Sequence, residues 1–205
     1  MVKNSHKGEF VRRAAVFLDR DGTINVEAGY IRDLQDLSLM PGAGQAVKRL
    51  NDAGIPVILA TNQSGPARGY YPESWIHTLH DSLSALLHQC GAHLDAVYYC
   101  PHLPDGTVPE YSLACQCRKP EPGMLNEAAQ RHGLNLAESY MVGDKSTDVE
   151  VGQRVGSKTI LLRSGYGERV LSGEYQWKVT PDFVAPTLVE AVDWILADLA
   201  LKSLD

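Results

Sequence analysis

Short apolar segments alternate with amphipathic segments along this chain of 205 residues. Runs such as Ala14–Leu18 and Ile55–Ala60 are typical of buried strands, whereas the segment from Pro72 to Gln89 repeats apolar residues at helical spacing. Strands are predicted at 14–18, 55–60, 94–99, 139–142, 159–162 and 182–184, and helices at 41–51, 72–89, 123–132, 146–154 and 188–199. The alternation predicts βαβ units. We therefore expect a single Rossmann-like α/β domain of three layers with a mostly parallel sheet.

The composition limits the partners and compartments open to the chain. Its net charge of −6 gives no overall basic footprint for nucleic acid. No apolar run approaches the roughly 18 residues that span a bilayer. The polar residues 1–13 lack the apolar core of a signal peptide. We expect no nucleic-acid or membrane partner, a cytoplasmic location with reduced cysteines, a flexible lead-in over residues 1–13 and one domain over residues 14–205.

Acidic residues follow two of the predicted strands. Asp19 and Asp21 come directly after the first strand, and Asp144 and Asp148 come after the fourth. If both strands end at the same edge of the sheet, these carboxylates converge and need a cation to neutralise them. Hard oxygen ligands of this kind suit Mg²⁺. Helix caps and turns also use Asp, so either pair by itself is open to that simpler interpretation.

Two further segments carry groups that suit phosphate. The second strand runs into Thr61-Asn62-Gln63-Ser64-Gly65, whose hydroxyl and backbone N–H groups can bind phosphate oxygens. Arg118 and Lys119 bring two cations to the start of a predicted helix. Taken singly, the first segment is typical of an ordinary turn and the second of a solvated surface pair.

The order of these segments along the chain is more informative than any one of them. Asp-x-Asp-Gly-Thr follows the first strand, Thr61 follows the second, Lys119 precedes a helix and Gly-Asp-x-x-x-Asp follows the fourth strand. This set resembles the four motifs of the haloacid dehalogenase superfamily and covers residues 14–148. Only 41 residues separate Asp19 from Thr61, and they include a predicted helix and strand, so we expect no large cap domain.

The resemblance implies a role for each motif residue. Asp19 would be the nucleophile that forms an aspartyl phosphate. Asp21 would protonate the leaving alcohol and then activate water. Thr61 and Lys119 would stabilise the transferring phosphoryl group. These roles describe a phosphoric monoester hydrolase.

The same resemblance implies a catalytic Mg²⁺. Its ligands would be oxygens that follow the first and fourth strands, from Asp19, the Asp21 carbonyl and Asp144. Asp148 would lie behind these ligands, and we expect it to pair with Lys145. An Asp at position 21 favours a phosphatase over family members that act on haloacids or carbon–phosphorus bonds, which lack it.

A loop rich in cysteine and proline follows the third predicted strand. Cys100 and His102 are separated from Cys115 and Cys117 by twelve residues, which is how two ligand pairs of a structural zinc site are arranged. Three buried thiols and a loop histidine remain an open alternative. Cys90 ends a predicted helix, and we interpret it as a core residue.

Within this phosphatase framework, the zinc loop resembles that of the D-glycero-D-manno-heptose 1,7-bisphosphate phosphatase family. The resemblance implies a structural Zn²⁺ and removal of the 7-phosphate from a small phosphorylated sugar. Arg118 would recognise the substrate. The full set of implied substrate-binding residues is Glu27, Ala28, Gly29, Tyr30, Thr61, Asn62, Gln63, Ser64, Arg118, Lys119 and Lys145.

Two other functions stay open at this point. Histidinol-phosphate phosphatases carry a similar zinc loop and the same catalytic motifs. A zinc-stapled interaction module without activity is a remote alternative, because Asp19, Lys119 and Asp144 are all retained. The oligomeric state is open and a monomer is compatible with the sequence. Residues 166–186 match no motif.

Overall fold

The computed structural model describes residues 13–202, in which a six-stranded sheet lies between two layers of helices. The strands are β1 (Val16–Leu18), β2 (Val57–Asn62), β3 (Ala96–Cys100), β4 (Tyr140–Gly143), β5 (Lys158–Leu162) and β6 (Phe183–Ala185). The helices are α1 (Ala43–Asp52), α2 (Glu73–Gln89), α3 (Gly123–His132), α4 (Ser146–Arg154), α5 (Gly167–Ser172) and α6 (Leu188–Lys202). The strand order is β3-β2-β1-β4-β5-β6, and each neighbouring pair is parallel. The predicted three-layer α/β class is confirmed.

Both faces of the sheet are covered, which explains why the strands read as continuous apolar runs. Side chains alternate between the faces along each strand. Val16 and Leu18 pack with α1, α2 and α6, whereas Phe17 between them packs with α3 and α4 on the opposite face. A third small cluster places Val170 of α5 against β5 and α4.

The main differences from the predicted elements are at β2 and α5. β2 continues past its predicted end at Ala60, because Thr61 and Asn62 still pair with β3. α5 was not predicted. It has only six residues, of which Gly167 and Val170 are buried, so it is too short to show a helical repeat.

The predicted lead-in falls mostly on residues 1–12, which lie outside the described residues. Arg13 was counted with it, yet Arg13 forms a parallel bridge with Leu134 and accepts a hydrogen bond from the Asn135 N–H at 3.0 Å. Arg13 is therefore tied to the segment that follows α3. Within residues 13–202, no helix has the length and apolar character needed to cross a membrane.

The strand order reverses between β1 and β4, the two central strands. Leu18 pairs with Val142, so the carboxyl ends of β1 and β4 lie side by side. In open parallel sheets, ligands bind beyond the strand ends at such a reversal point. The fold therefore brings the two acidic motifs to one place.

Candidate active site

Three buried carboxylates meet beyond β1 and β4. Asp19 follows β1, Asp144 follows β4 and Asp148 lies in the first turn of α4, and their exposed fractions are 4%, 0% and 1%. One oxygen from each lies within 4.8 Å of the others. The Asp19 N–H donates to the Val142 carbonyl at 2.9 Å, which fixes the start of this loop to β4. Asp19, Asp144 and Asp148 therefore converge as the sequence predicts, whereas Asp21 is not a member of this cluster.

The Lys119 ammonium is the first counter-charge of this cluster. It lies 2.9 Å from Asp19 Oδ1, 2.6 Å from Asp148 Oδ1 and 2.7 Å from the Ala60 carbonyl. Burial alone would lower the pKa of Lys119, but the carboxylates of Asp148 and Asp19 raise it above its usual value. The expected ion pair between Asp148 and Lys145 is wrong. Asp148 pairs with Lys119 and accepts a hydrogen bond from the backbone N–H of Lys145 at 3.0 Å.

The Lys145 ammonium is the second counter-charge. It lies 2.9 Å from Asp144 Oδ1, 3.5 Å from Asp19 Oδ2 and 3.4 Å from the Asp21 carbonyl oxygen. These are the three oxygens that the sequence predicts as Mg²⁺ ligands, and a cationic group already lies among them. An all-oxygen set with two carboxylates and a carbonyl also matches the ligands that Mg²⁺ prefers. The residues present therefore fit this ion.

The protonation of the cluster is uneven. Burial would raise the pKa of Asp19, but the ammonium groups of Lys119 and Lys145 bring it well below its usual value. Burial raises the pKa of Asp144 to about 7 in spite of the attraction of Lys145. Asp19 is therefore the member of the cluster that is held ionised, as a nucleophilic carboxylate must be.

Backbone packs directly against Asp144. A Cβ atom added at Gly22 or Gly165 would lie 2.3 Å or 2.1 Å from Asp144 Oδ2, and both glycines have a left-handed φ, of +77° and +54°. The Tyr166 N–H donates to the same oxygen at 2.8 Å. These two positions require glycine because a side chain at either would displace the carboxylate.

Asp21 is oriented by a buried arginine that the sequence analysis did not single out. Arg20 is 1% exposed, and its Nη2 lies 2.9 Å and 3.0 Å from the two carboxylate oxygens of Asp21. Asn25 and Gln63 also donate to Asp21, each at 2.9 Å. The available signal was a charged residue between the two motif carboxylates, two positions after a buried strand. These contacts fix the Asp21 side chain beside the mouth of the carboxylate cluster.

An open cleft with a volume of about 240 Å³ lies above the carboxylates. Most predicted substrate-binding residues line it, namely Glu27, Gly29, Tyr30, Asn62, Gln63, Ser64, Arg118, Lys119 and Lys145. Ala28 does not line the cleft. Thr61 is 1% exposed and lies behind Gln63, whose Nε2 donates to Thr61 Oγ1 at 3.0 Å.

Residues that the sequence analysis missed complete the wall of the cleft. Tyr166 and Tyr175 stack with ring centroids 4.2 Å apart, and Gln176 beside them has a left-handed φ of +57°. The Gln176 Oε1 atom accepts a hydrogen bond from the Ser146 N–H at 2.9 Å, at the start of α4. Arg68 lines the opposite side. This stretch has no periodic pattern, so only the fold reveals its position.

The four predicted zinc ligands form a second cluster. Cys100 Sγ lies 3.4 Å from Cys115 Sγ, and Cys117 Sγ lies 3.1 Å from Cys100 Sγ and 3.4 Å from His102 Nδ1. A tetrahedral zinc with Zn–S near 2.3 Å needs donors roughly 3.5–3.8 Å apart, only slightly farther than the donor atoms lie here, so the cluster could hold a metal ion. The hydrogen bond with Cys100 is the main cause that lowers the pKa of Cys117 to about 5. Cys90 is the C-cap of α2 and lies outside this cluster.

The loop between Cys100 and Lys119 is joined to the cleft at its end. The Arg118 Nη1 atom donates to the His102 carbonyl at 3.0 Å. The Asn62 side chain forms two hydrogen bonds of 3.0 Å with the backbone N–H and carbonyl of Lys119. The Cys/His cluster therefore fixes the backbone that carries both cations.

The buried position of Lys119 yields a stability prediction. Lys119→Met should lower the free energy of unfolding by about 3–5 kcal/mol near pH 7.5, because it leaves Asp19 and Asp148 buried without this counter-charge. The depressed pKa of Asp19 stabilises the wild type above the usual carboxylate pKa, and that contribution is lost only as the pH falls well below it. In the variant both carboxylates can take up protons, so the deficit should shrink near pH 4.5.

Urea unfolding in metal-free buffer measures both values. Arg163→Met is the matched control, because it removes an exposed cation 2.7 Å from Glu168 and should cost less than about 0.5 kcal/mol. Equal losses in the two variants, or a Lys119→Met deficit independent of pH, would contradict the buried ion cluster.

Comparisons with known proteins agree with this geometry. Residues 116–191 match the HAD-hydrolase-like family model. A D-glycero-D-manno-heptose-1,7-bisphosphate 7-phosphatase of Thermosynechococcus vestitus is 52% identical over 192 residues, covering 92% of this chain and 98% of that protein. The Escherichia coli K12 D-glycero-beta-D-manno-heptose-1,7-bisphosphate 7-phosphatase is 39% identical over 91% of this chain and 90% of its own length.

A solved structure gives the same result. The D,D-heptose 1,7-bisphosphate phosphatase of B. bronchiseptica, complexed with magnesium and phosphate, superposes with a TM-score of 0.80 at 32% identity, over 90% of this chain and 99% of that chain. The buried carboxylates beyond β1 and β4, the Cys/His cluster and these relatives lead to one assignment. This chain belongs to the HAD-like hydrolases and, within them, to the family of heptose-1,7-bisphosphate 7-phosphatases.

Proposed function

We propose that this enzyme removes the 7-phosphate of D-glycero-D-manno-heptose 1,7-bisphosphate in a Mg²⁺-dependent reaction. The position of Asp19 carries the proposal, because its carboxylate lies on the floor of the cleft between the ammonium groups of Lys119 and Lys145. A nucleophile held ionised beside two cations suits attack on a phosphate dianion.

In the first half of the reaction, an Asp19 oxygen forms a bond to the phosphorus while the bond between phosphorus and the sugar oxygen breaks. Asp21 gives its proton to the departing sugar oxygen. The contacts with Arg20 and Gln63 hold Asp21 in position for this transfer. Lys119 stabilises the charge on the phosphoryl group. Thr61, whose Oγ1 accepts a hydrogen bond from Gln63, has the same role.

In the second half, Asp21 accepts a proton from water as the water oxygen bonds to phosphorus and the bond to Asp19 breaks. Inorganic phosphate leaves and both carboxylates return to their initial state. Asp19, the Asp21 carbonyl and Asp144 would hold Mg²⁺, which neutralises phosphoryl charge when bound. Asp148 pairs with Lys119 and so helps to hold the Lys119 ammonium beside Asp19.

The cleft residues divide the remaining tasks. Glu27, Gly29 and Tyr30 form one side, Asn62, Gln63 and Ser64 a second, and Arg118 with Lys145 complete the set. Ala28 lies between Glu27 and Gly29, and we propose that its backbone contributes to the same side of the substrate site. We further propose that residues 14–205 act as one catalytic domain and that the enzyme works in the cytoplasm, where the thiols of the metal cluster stay reduced.

The nucleophile is tested by substitution. Asp19→Asn should reduce kcat by at least about 10⁴-fold, because a neutral amide cannot attack phosphorus. Asp21→Asn should be severely impaired, since it neither donates nor accepts the proton. The assay is phosphate release with Mg²⁺, on protein checked for deamidation by mass spectrometry. Near-normal turnover by Asp19→Asn would exclude the covalent mechanism.

The substrate is tested by direct competition. We expect kcat/KM on heptose 1,7-bisphosphate to exceed that on histidinol phosphate, because the cleft offers cations beyond those that hold one phosphate. A preference for histidinol phosphate would assign the chain to that related activity. Failure to hydrolyse any phosphomonoester with Mg²⁺ present would support an inactive interaction module instead.

We also propose that the Cys/His cluster holds one structural Zn²⁺ through Cys100, His102, Cys115 and Cys117. Four protein ligands leave no open position for water or substrate, so the ion would perform no chemistry. Its task is to hold Arg118 and Lys119, which themselves lie in no helix or strand.

Two cysteine substitutions test the zinc proposal. Cys115→Ser should lose stoichiometric zinc, lower the melting temperature and reduce kcat/KM by about 10²-fold, because a shift of roughly 1 Å in a positioning group has an effect of this size. Cys90→Ser is the matched control and should keep its zinc. Elemental analysis after chelator-free purification measures the metal. Equal zinc content in the two variants would contradict the ligand set.

A further inference from the structure

Four cations line the cleft, and they divide into two kinds. Lys119 and Lys145 are paired with the carboxylates of the floor. Arg68 and Arg118 lie in the wall, and among residues 13–202 neither has a carboxylate oxygen within ion-pair distance of its guanidinium. The two floor cations are therefore already engaged by carboxylates, whereas the two guanidinium groups of the wall have no carboxylate partner among the described residues.

Arg68 is held by a short hydrogen-bonded turn after β2. The Arg68 N–H donates to the Ser64 carbonyl at 3.1 Å, and the Tyr70 N–H donates to the Gly65 carbonyl at 3.0 Å. The Arg68 guanidinium lies over the Tyr30 ring at 5.6 Å, and the Tyr30 and Tyr70 rings meet edge to face at 4.7 Å. The aromatic face orients the guanidinium without consuming its N–H donors.

The loop between Cys100 and Lys119 contacts this turn as well as Arg118. The N–H groups of Thr107 and Val108 donate to the Ala67 carbonyl at 2.7 Å and 3.1 Å, one residue before Arg68. Arg118 donates to the His102 carbonyl of the same loop. The loop between Cys100 and Lys119 therefore contacts Arg118 directly and the turn of Arg68 through the Ala67 carbonyl.

We propose that Arg68 acts with Arg118 to bind the phosphate that remains on the sugar, and so determines specificity for a bisphosphate. The inference rests on the proposed function. A second phosphate dianion is repelled by the ionised Asp19 and by Glu27, which face the cleft. The guanidinium groups of the wall are the cations available to it, and each can bind phosphate through two N–H donors.

Substrates with and without the second phosphate test this role. Arg68→Ala should lower kcat/KM on heptose 1,7-bisphosphate by roughly 10- to 100-fold, mainly through KM, because a charge-assisted contact made in the ground state is lost. On heptose 7-phosphate, which lacks the 1-phosphate, the change should be less than about 3-fold. Arg68→Lys should recover part of the loss, since it restores charge but not the two-donor geometry.

Arg32→Ala is the matched control, because Arg32 lies over the Tyr70 ring at 4.5 Å but does not line the cleft. It should leave both substrates unaffected. Equal losses on both substrates by Arg68→Ala would assign Arg68 a purely structural role, and no loss on the bisphosphate would exclude it from the site. Either result overturns this inference while leaving the proposed function intact. A wild type that favours the monophosphate overturns both.

Discussion

Repulsion among three buried carboxylates is the constraint on which the rest of this structure depends. Asp19, Asp144 and Asp148 lie within a few ångströms of one another with almost no access to solvent, and such an arrangement is stable only with counter-charges in place. The two ammonium groups come from different parts of the chain. Lys145 arises locally, in the turn between β4 and α4. Lys119 lies near the end of the loop that follows β3, and β3 is separated from β1 by β2.

The position of Lys119 explains the irregular segment between β3 and α3. Between β3 and α3 the chain has no regular structure except one short 3₁₀ turn, yet Lys119 near its end is 2% exposed, as buried as the core strands. The Cys/His cluster closes this loop on itself, and the Asn62 side chain clamps its end to β2. The contacts of the Cys/His cluster thus substitute for the packing that a helix or sheet would provide.

The sequence was a good guide wherever function coincided with a periodic element. Asp19 and Asp144 follow strands whose apolar runs are unambiguous, so the parallel sheet alone predicts that they meet. Lys119 pairs with Asp148 across two distant parts of the chain, the loop after β3 and the first turn of α4. Their sequence positions do not show this, and nearness in sequence favoured Lys145 as the partner of Asp148. Tyr175 and Gln176 lie in an irregular stretch after a six-residue helix, where no repeat indicates which side chains face the cleft. Arg68 was missed for the same reason, since it follows the recognised Thr61–Gly65 segment by three residues.

The open cleft has a consequence for how enzymes of this design diversify. The three carboxylates of the floor come from the ends of β1 and β4, whereas the walls come from loops after β1, β2, β3 and β5. A side-chain substitution in a wall can therefore change what the cleft accepts while the backbone that carries the floor stays in place. A lineage built on this scaffold can exchange one metabolite for another through a few substitutions in a single loop, and no domain needs to be gained or lost.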